Sequence, residues 1–248
     1  MKKILILALA ALLFAGCSQT KTKGVLTILT NSGYPPYEIV DTSGALAGFD
    51  IDLGNAIAAQ MGYSVKWVDM EFDGIIAALN ANQGDMSLAA FSATAGRGVD
   101  FSDSYYVDSP YWVLTLASNK WSKPADLMNK TVGIQIGTVQ ATAVDLIAAD
   151  YKLTKDARKD IGQMVQEIIN KRIDWIFLDK IVVDQYVKSY PQMATFELKD
   201  PKFENVPYKG VALPLGSKLT PDVNKALAAL KKSGKLDQLI VKWFTATK

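Results

Sequence analysis

The sequence predicts an α/β protein of two lobes, each a sheet with flanking helices, joined by a two-stranded hinge. Three observations carry this. Short apolar runs suited to buried strands alternate with segments whose apolar residues recur at helical spacing, the pattern of βαβ units. The alternation runs once, reaches a strand-like crossing at YWVLTLA (111–117), and then repeats. A second crossing through FENVPYKGVALPL (203–215) returns the chain, and two crossings make a hinge. The first lobe is expected to hold residues 25–112 and 209–248, and the second 113–208.

In the first unit VLTILTN (25–31) reads as a buried strand. The segment after Asp50 places Leu53, Ala56, Ile57 and Met61 at helical spacing. YSVKWV follows as a strand, 73–82 as a helix with Ile75, Ile76 and Leu79 on one face, and DMSLAAF (85–91) as another buried strand. After the first crossing, Ser122 and Pro124 offer helix-start chemistry. In the second unit TVGIQ (131–135) is a strand, 138–149 a helix, and 160–171 a helix with Val165, Ile168 and Ile169 inward. RIDWIFL is a buried strand and 179–190 a helix. The chain closes on Thr220 as cap and Pro221 as first helical residue, with Val223, Ala226, Leu227 and Leu230 on one face. Leu236, Leu239, Ile240, Trp243 and Phe244 are expected in the core.

The N-terminus reads MKKILILALAALLFAGC, a lysine pair, an apolar run and small residues ending at Cys17, the single cysteine. The run 4–14 is about half of the roughly 20 residues that span a bilayer, so it fits a signal-peptide core. Ala15-Gly16 before the cysteine and the polar SQTKTK after it resemble a lipoprotein cleavage box. The expectation is a signal peptide over 1–16, acylation of Cys17, a tether over 17–24, and an extracytoplasmic protein lipid-anchored to a membrane.

Composition excludes several functions. The 27 lysines and arginines stand against 25 acids, interspersed, so no basic stripe argues for nucleic acid. No histidine is present, which excludes histidine acid–base chemistry and every serine–histidine triad. With one cysteine besides, no transition-metal site and no cofactor is expected.

The strings GYPPYEIVDTSGALAGFDIDLGNAIAAQMG, FDGIIAALNANQGDMSL, VDFSDSYY, KTVGIQIGT, IDWIFLD and LDQLIVKWF, in that order, resemble the polar amino-acid substrate-binding proteins of ABC importers. These are family 3 solute-binding proteins with a type II periplasmic-binding-protein-like fold. The resemblance covers nearly all of 25–244. It implies capture of an amino acid by hinge closure, delivery to a membrane permease, a monomeric chain, and no enzymatic activity.

An amino-acid zwitterion needs a donor fork and backbone amides for its carboxylate, and an acid for its ammonium. By the resemblance, Ser92 and Arg97 take the carboxylate from the first lobe, helped by the helix start at Gly137-Thr138. Asp179, at the end of IDWIFL, takes the ammonium. Its position also fits a helix cap. Tyr34 and Phe72 match the positions that sandwich the ligand's side chain, and Ala90, Gln135 and Leu178 complete the pocket.

The loop TAGRGVDFS (94–102) is about two residues shorter than usual in that family. Counting forward from Thr94 keeps Arg97 at the clamp, whereas counting back from Val99 puts Ala95 there. The forward count is taken because Ser92 and Thr94 immediately precede. Asn31 stands where binders of cationic side chains often carry an acid, so the expected ligand is a neutral amino acid. The alternatives are an enzyme resembling the cyclohexadienyl dehydratases, with Asp179 as general acid, and an amino-acid sensor without transport.

Overall fold

The computed structural model describes residues 23–203 and 207–245. The signal-peptide region, the Cys17 anchor and most of the tether lie outside the described residues. Among those described, no helix is long and apolar enough to cross a membrane.

Two five-stranded sheets form two lobes of the same design. In the first, Val25–Thr30 lies between Ser64–Asp69 and Met86–Ser87, parallel to both. Ala212–Pro214 and Val99–Phe101 extend the sheet beyond Met86–Ser87, with Ala212–Pro214 antiparallel to both neighbours. In the second, Thr131–Gln135 lies parallel between Thr154–Arg158 and Trp175–Leu178. Trp112–Leu116 and Met193–Glu197 then add in antiparallel fashion. Each lobe therefore presents the C-terminal ends of its parallel strands on one side, the place where open α/β sheets bind ligands.

Hydrophobic burial selects these elements. Ile28, Leu29 and the whole of Trp175–Leu178 are buried, as parallel strands covered on both faces must be. Helix Phe49–Met61 turns Leu53, Ile57 and Met61 inward and packs on Thr220–Lys232 and Lys235–Ile240. It stops at Gly62, whose φ of 83° gives the left-handed cap that glycine adopts without a Cβ clash. Helix Ile161–Ile169 begins where Asp160 Oδ1 accepts the Gln163 amide at 2.6 Å.

The hinge is the antiparallel pair Tyr106–Val107 and Tyr208–Lys209. Strand pairing along 85–91 is confined to Met86–Ser87. Beyond Leu88 the backbone turns away, with Ala90 at φ 49°, and runs to the hinge, where the Gly210 amide donates to Phe91 O. The helix-start signal at Ser122 and Pro124 yields only the 3-10 turn Pro124–Leu127. Thr220 is the first residue of its helix, not the cap, and its hydroxyl is buried with no partner among the described residues. Phe244 is core, but Trp243 is half-buried and donates its indole N–H to Asp52 at 2.8 Å.

Gly133, inside Thr131–Gln135, lets a helix and a strand close on the sheet. A Cβ there would stand 2.7 Å from Ile176 and 2.9 Å from Met164. Gly133→Ala is expected to destabilise the protein by about 1–3 kcal/mol through overpacking, read from the urea midpoint.

Candidate functional site

The strand ends of the two lobes face each other across a closed cleft. Asn31 follows Val25–Thr30, Gln135 ends Thr131–Gln135, and Asp179 follows Trp175–Leu178. Side-chain hydrogen bonds join the lobes here, among them one from Tyr186 Oη to Gly33 O at 3.3 Å. Tyr34 Oη donates to Asp179 Oδ2 at 2.7 Å, Gln135 Nε2 to Asn31 Oδ1 at 3.1 Å, and Arg97 Nη2 to Gly137 O at 2.7 Å. A looser ion pair, Lys159 to Asp73 at 3.6 Å, adds to them at the rim.

One cavity is lined by Tyr34, Phe72, Ala90, Ser92, Arg97, Gln135, Thr138 and Asp179, with Asn31 and Leu178 beside them. The structure therefore brings every sequence-predicted cleft residue together. It also refines their parts. Thr138 Oγ1 accepts the Ala141 amide at 3.1 Å and donates to Gln135 O at 2.8 Å, so its hydroxyl is a helix cap. Phe72 stacks on Phe91 with ring centroids 4.7 Å apart. Tyr34 is held by Asp179 from two directions, since the Asp179 amide donates back to Tyr34 Oη at 3.1 Å.

Arg97 reaches the cavity from a loop whose flanking Gly96 and Gly98 have φ of 80° and 73°, a conformation that side-chain-bearing residues rarely adopt. Of the two residues weighed for the clamp, Arg97 lines the cavity and Ala95 does not. The guanidinium lies 5.0 Å from the Phe91 ring centroid and 5.9 Å from that of Phe72. Its hydrogen bonds go to carbonyls, Ser92 O at 3.4 Å and Gly137 O. It has no carboxylate partner among the described residues. Burial lowers its pKa to about 10, which leaves it charged at neutral pH. A desolvated cation without a counter-ion is suited to an incoming carboxylate.

Asp179 is the complementary group. It is the N-cap residue of Lys180–Ser189, yet its carboxylate makes no capping bond. Oδ2 is held by Tyr34 and Lys209, whereas Oδ1 is buried with no hydrogen-bond partner. A carboxyl oxygen left unpaired in a cavity wall is suited to an ammonium.

Sequence reasoning missed Lys209 and Glu38. Lys209 is 1% exposed and places Nζ 2.7 Å from Asp179 Oδ2. Its signal was a lysine inside the apolar crossing PYKGVALPL. Glu38, 1% exposed, has its pKa pushed well up by burial first and then by Asp50, and its Oε2 has no partner. Its signal was the acid in PPYEIV.

Behind the wall, Asp50 fixes Ala90. Its Oδ2 accepts the Ala90 amide at 2.7 Å and the Tyr105 hydroxyl at 3.1 Å. This pins a residue in left-handed backbone, a costly conformation for alanine.

A family model described as bacterial extracellular solute-binding proteins, family 3, matches residues 26–246. The chain belongs to that family. Its curated relatives include the arginine-binding extracellular protein ArtP of Bacillus subtilis (strain 168), 32% identical over 258 residues that cover all of both chains. Among solved structures, an ancestral arginine-binding protein bound to arginine is 34% identical with a TM-score of 0.82, covering 90% of this chain and 100% of that one. A structure of an ancestral arginine-binding protein bound to glutamine is also 34% identical, with a TM-score of 0.81, covering 90% and 99%.

Burial raises the Asp50 pKa to about 7, outweighing the lowering by its two donors. The same cause raises Asp108 to about 6. A carboxyl raised on folding stabilises the native state while it is protonated, and that contribution is lost as pH rises through the folded value. Native stability is therefore expected to fall as pH rises from about 4 to about 7, and Asp50→Asn to flatten the upper part of that fall. Urea midpoints measured across the range check this.

Proposed function

We propose that this protein is the binding component of an ABC importer and captures a cationic amino acid, arginine foremost, between its lobes. The buried, unpartnered Oδ1 of Asp179 carries the reading, because it supplies an ammonium acceptor across the cleft from the Arg97 guanidinium. An α-amino acid is the small molecule that satisfies both. Its carboxylate meets Arg97 and the helix start after Thr138, its ammonium meets Asp179, and its side chain extends toward Tyr34, Phe72, Asn31 and Gln135.

The neutral-ligand expectation from Asn31 gives way here. Relatives named for arginine binding, ArtP among them, support a cationic ligand, and a guanidinium needs no carboxylate partner. Aromatic faces and neutral oxygen acceptors hold it as well, and Tyr34, Phe72 and the Asn31 amide provide both. Glutamine is the second reading. Asn31 and Gln135 already bond amide to amide at 3.1 Å, a polarity that suits a carboxamide, and an ancestral relative was solved with glutamine.

In the mechanism, ligand binds one lobe and the other closes over it. The closed form, in which Tyr34 meets Asp179 and Arg97 meets Gly137, is the one a permease reads. Binding energy becomes a change of shape with no covalent step, so we read the chain as a binding protein and not an enzyme. We further propose that it acts as a monomer outside the cytoplasm, anchored through an acylated Cys17.

Calorimetric titration against individual amino acids tests the ligand, and saturable arginine binding is expected. Arg97→Ala and Asp179→Asn should each weaken it by roughly two to four orders of magnitude, since breaking a buried charge pair costs about 3–5 kcal/mol. A loss below about threefold for either contradicts its role. Cys17→Ser should move the expressed protein from the membrane fraction to the soluble fraction.

A further inference from the structure

The ammonium of Lys209 stands where its three protons are all used. Nζ donates to Ala90 O at 2.9 Å, Ser92 Oγ at 3.0 Å and Asp179 Oδ2 at 2.7 Å. Lys209 belongs to a hinge strand but is tied to the first lobe, because it forms a β-bridge with Ser92 and bonds two residues there. Asp179 belongs to the second lobe. The pair is 1% exposed on both sides and spans the cleft.

Lys209 therefore competes for the carboxylate that the ligand's ammonium uses. One Asp179 oxygen carries the internal ammonium, and the other, Oδ1, remains for the ligand. In a cleft whose acceptor had no internal partner, a ligand lacking the ammonium would leave a buried carboxylate uncompensated, at large cost. Here Lys209 already supplies the compensation. The ligand ammonium adds a second cation to a charge that is balanced, and the two cations repel across one carboxylate.

We infer that Lys209 is a specificity-determining residue that relaxes the site's demand for an α-ammonium, so that the cleft also takes carboxylates lacking it, such as des-amino and 2-hydroxy analogues of the amino acid. This rests on the amino-acid reading above and extends its ligand class. Arg97, the carboxylate donor, does not share Asp179 with Lys209, so the carboxylate stays the obligatory part of the ligand.

The test compares arginine with 5-guanidinopentanoate, its des-amino analogue, by calorimetric titration of the wild type and of Lys209→Met. Glutamine and its des-amino analogue serve as the pair if glutamine is the ligand bound. In the wild type the des-amino compound should bind within about a hundredfold of the amino acid. In Lys209→Met the ratio should widen by at least about tenfold, because Asp179 then depends on the ligand for its only cation. A ratio that widens less, or narrows, overturns the inference. If the variant does not fold, the wild-type ratio decides, and a loss beyond about a hundredfold overturns it. Failure of the wild type to bind arginine or glutamine defeats the amino-acid reading itself. Binding with an unmoved ratio defeats the role of Lys209 alone.

Discussion

Charges taken out of water organise this protein. Asp179, Lys209, Glu38 and Asp50 are all buried, and each must be paired, protonated or left ready for a partner. The Asp179 carboxylate is the point where these demands meet. Tyr34 and Lys209 bind one oxygen, and the second is left without a donor. Lys209 in turn fastens Ala90 and Ser92, which line the same cavity. Closure of the lobes thus completes an ion pair and leaves the second Asp179 oxygen as an unmet acceptor in the cavity wall. Hinge motion and ligand recognition draw on the same few groups.

The fold delivers those groups by repetition. Both lobes place a first strand between two parallel neighbours, so the loops carrying Asn31, Gln135 and Asp179 leave equivalent strand ends and converge. The antiparallel strands of each sheet complete it from the far side and lead the chain through the hinge. Ala90 marks the transition, since pairing ends just before it and its backbone is held by Asp50 on one side and Lys209 on the other. Strain at that residue is stored by a core that over-determines it.

Much of this was legible beforehand. Apolar runs such as WIFL read as buried strands because burial on both faces leaves no alternation to misread. Asp179 was legible because it ends the motif string IDWIFLD, and Arg97 by the forward count from Thr94, and the cavity gathers them with Ser92, Gln135 and the two aromatics. The strands Thr154–Arg158 and Met193–Glu197 escaped notice because they are edge strands, partly exposed, without the continuous apolar run that signals a buried one. Lys209 and Glu38 escaped for the opposite reason. A lone charge in an apolar stretch ordinarily reads as a surface position, and its burial depends on groups brought from distant segments, as Asp179 is for Lys209. Asn31 was overread, because one missing acid says little where aromatic faces and neutral acceptors share the work.

The most direct test of this account is a crystal structure of the protein grown with arginine. The account predicts the α-ammonium within about 3 Å of Asp179 Oδ1 and the carboxylate on the Arg97 guanidinium, with Lys209 still on Oδ2. A ligand bound in the reverse orientation, or one that leaves Asp179 Oδ1 unpartnered, would contradict it.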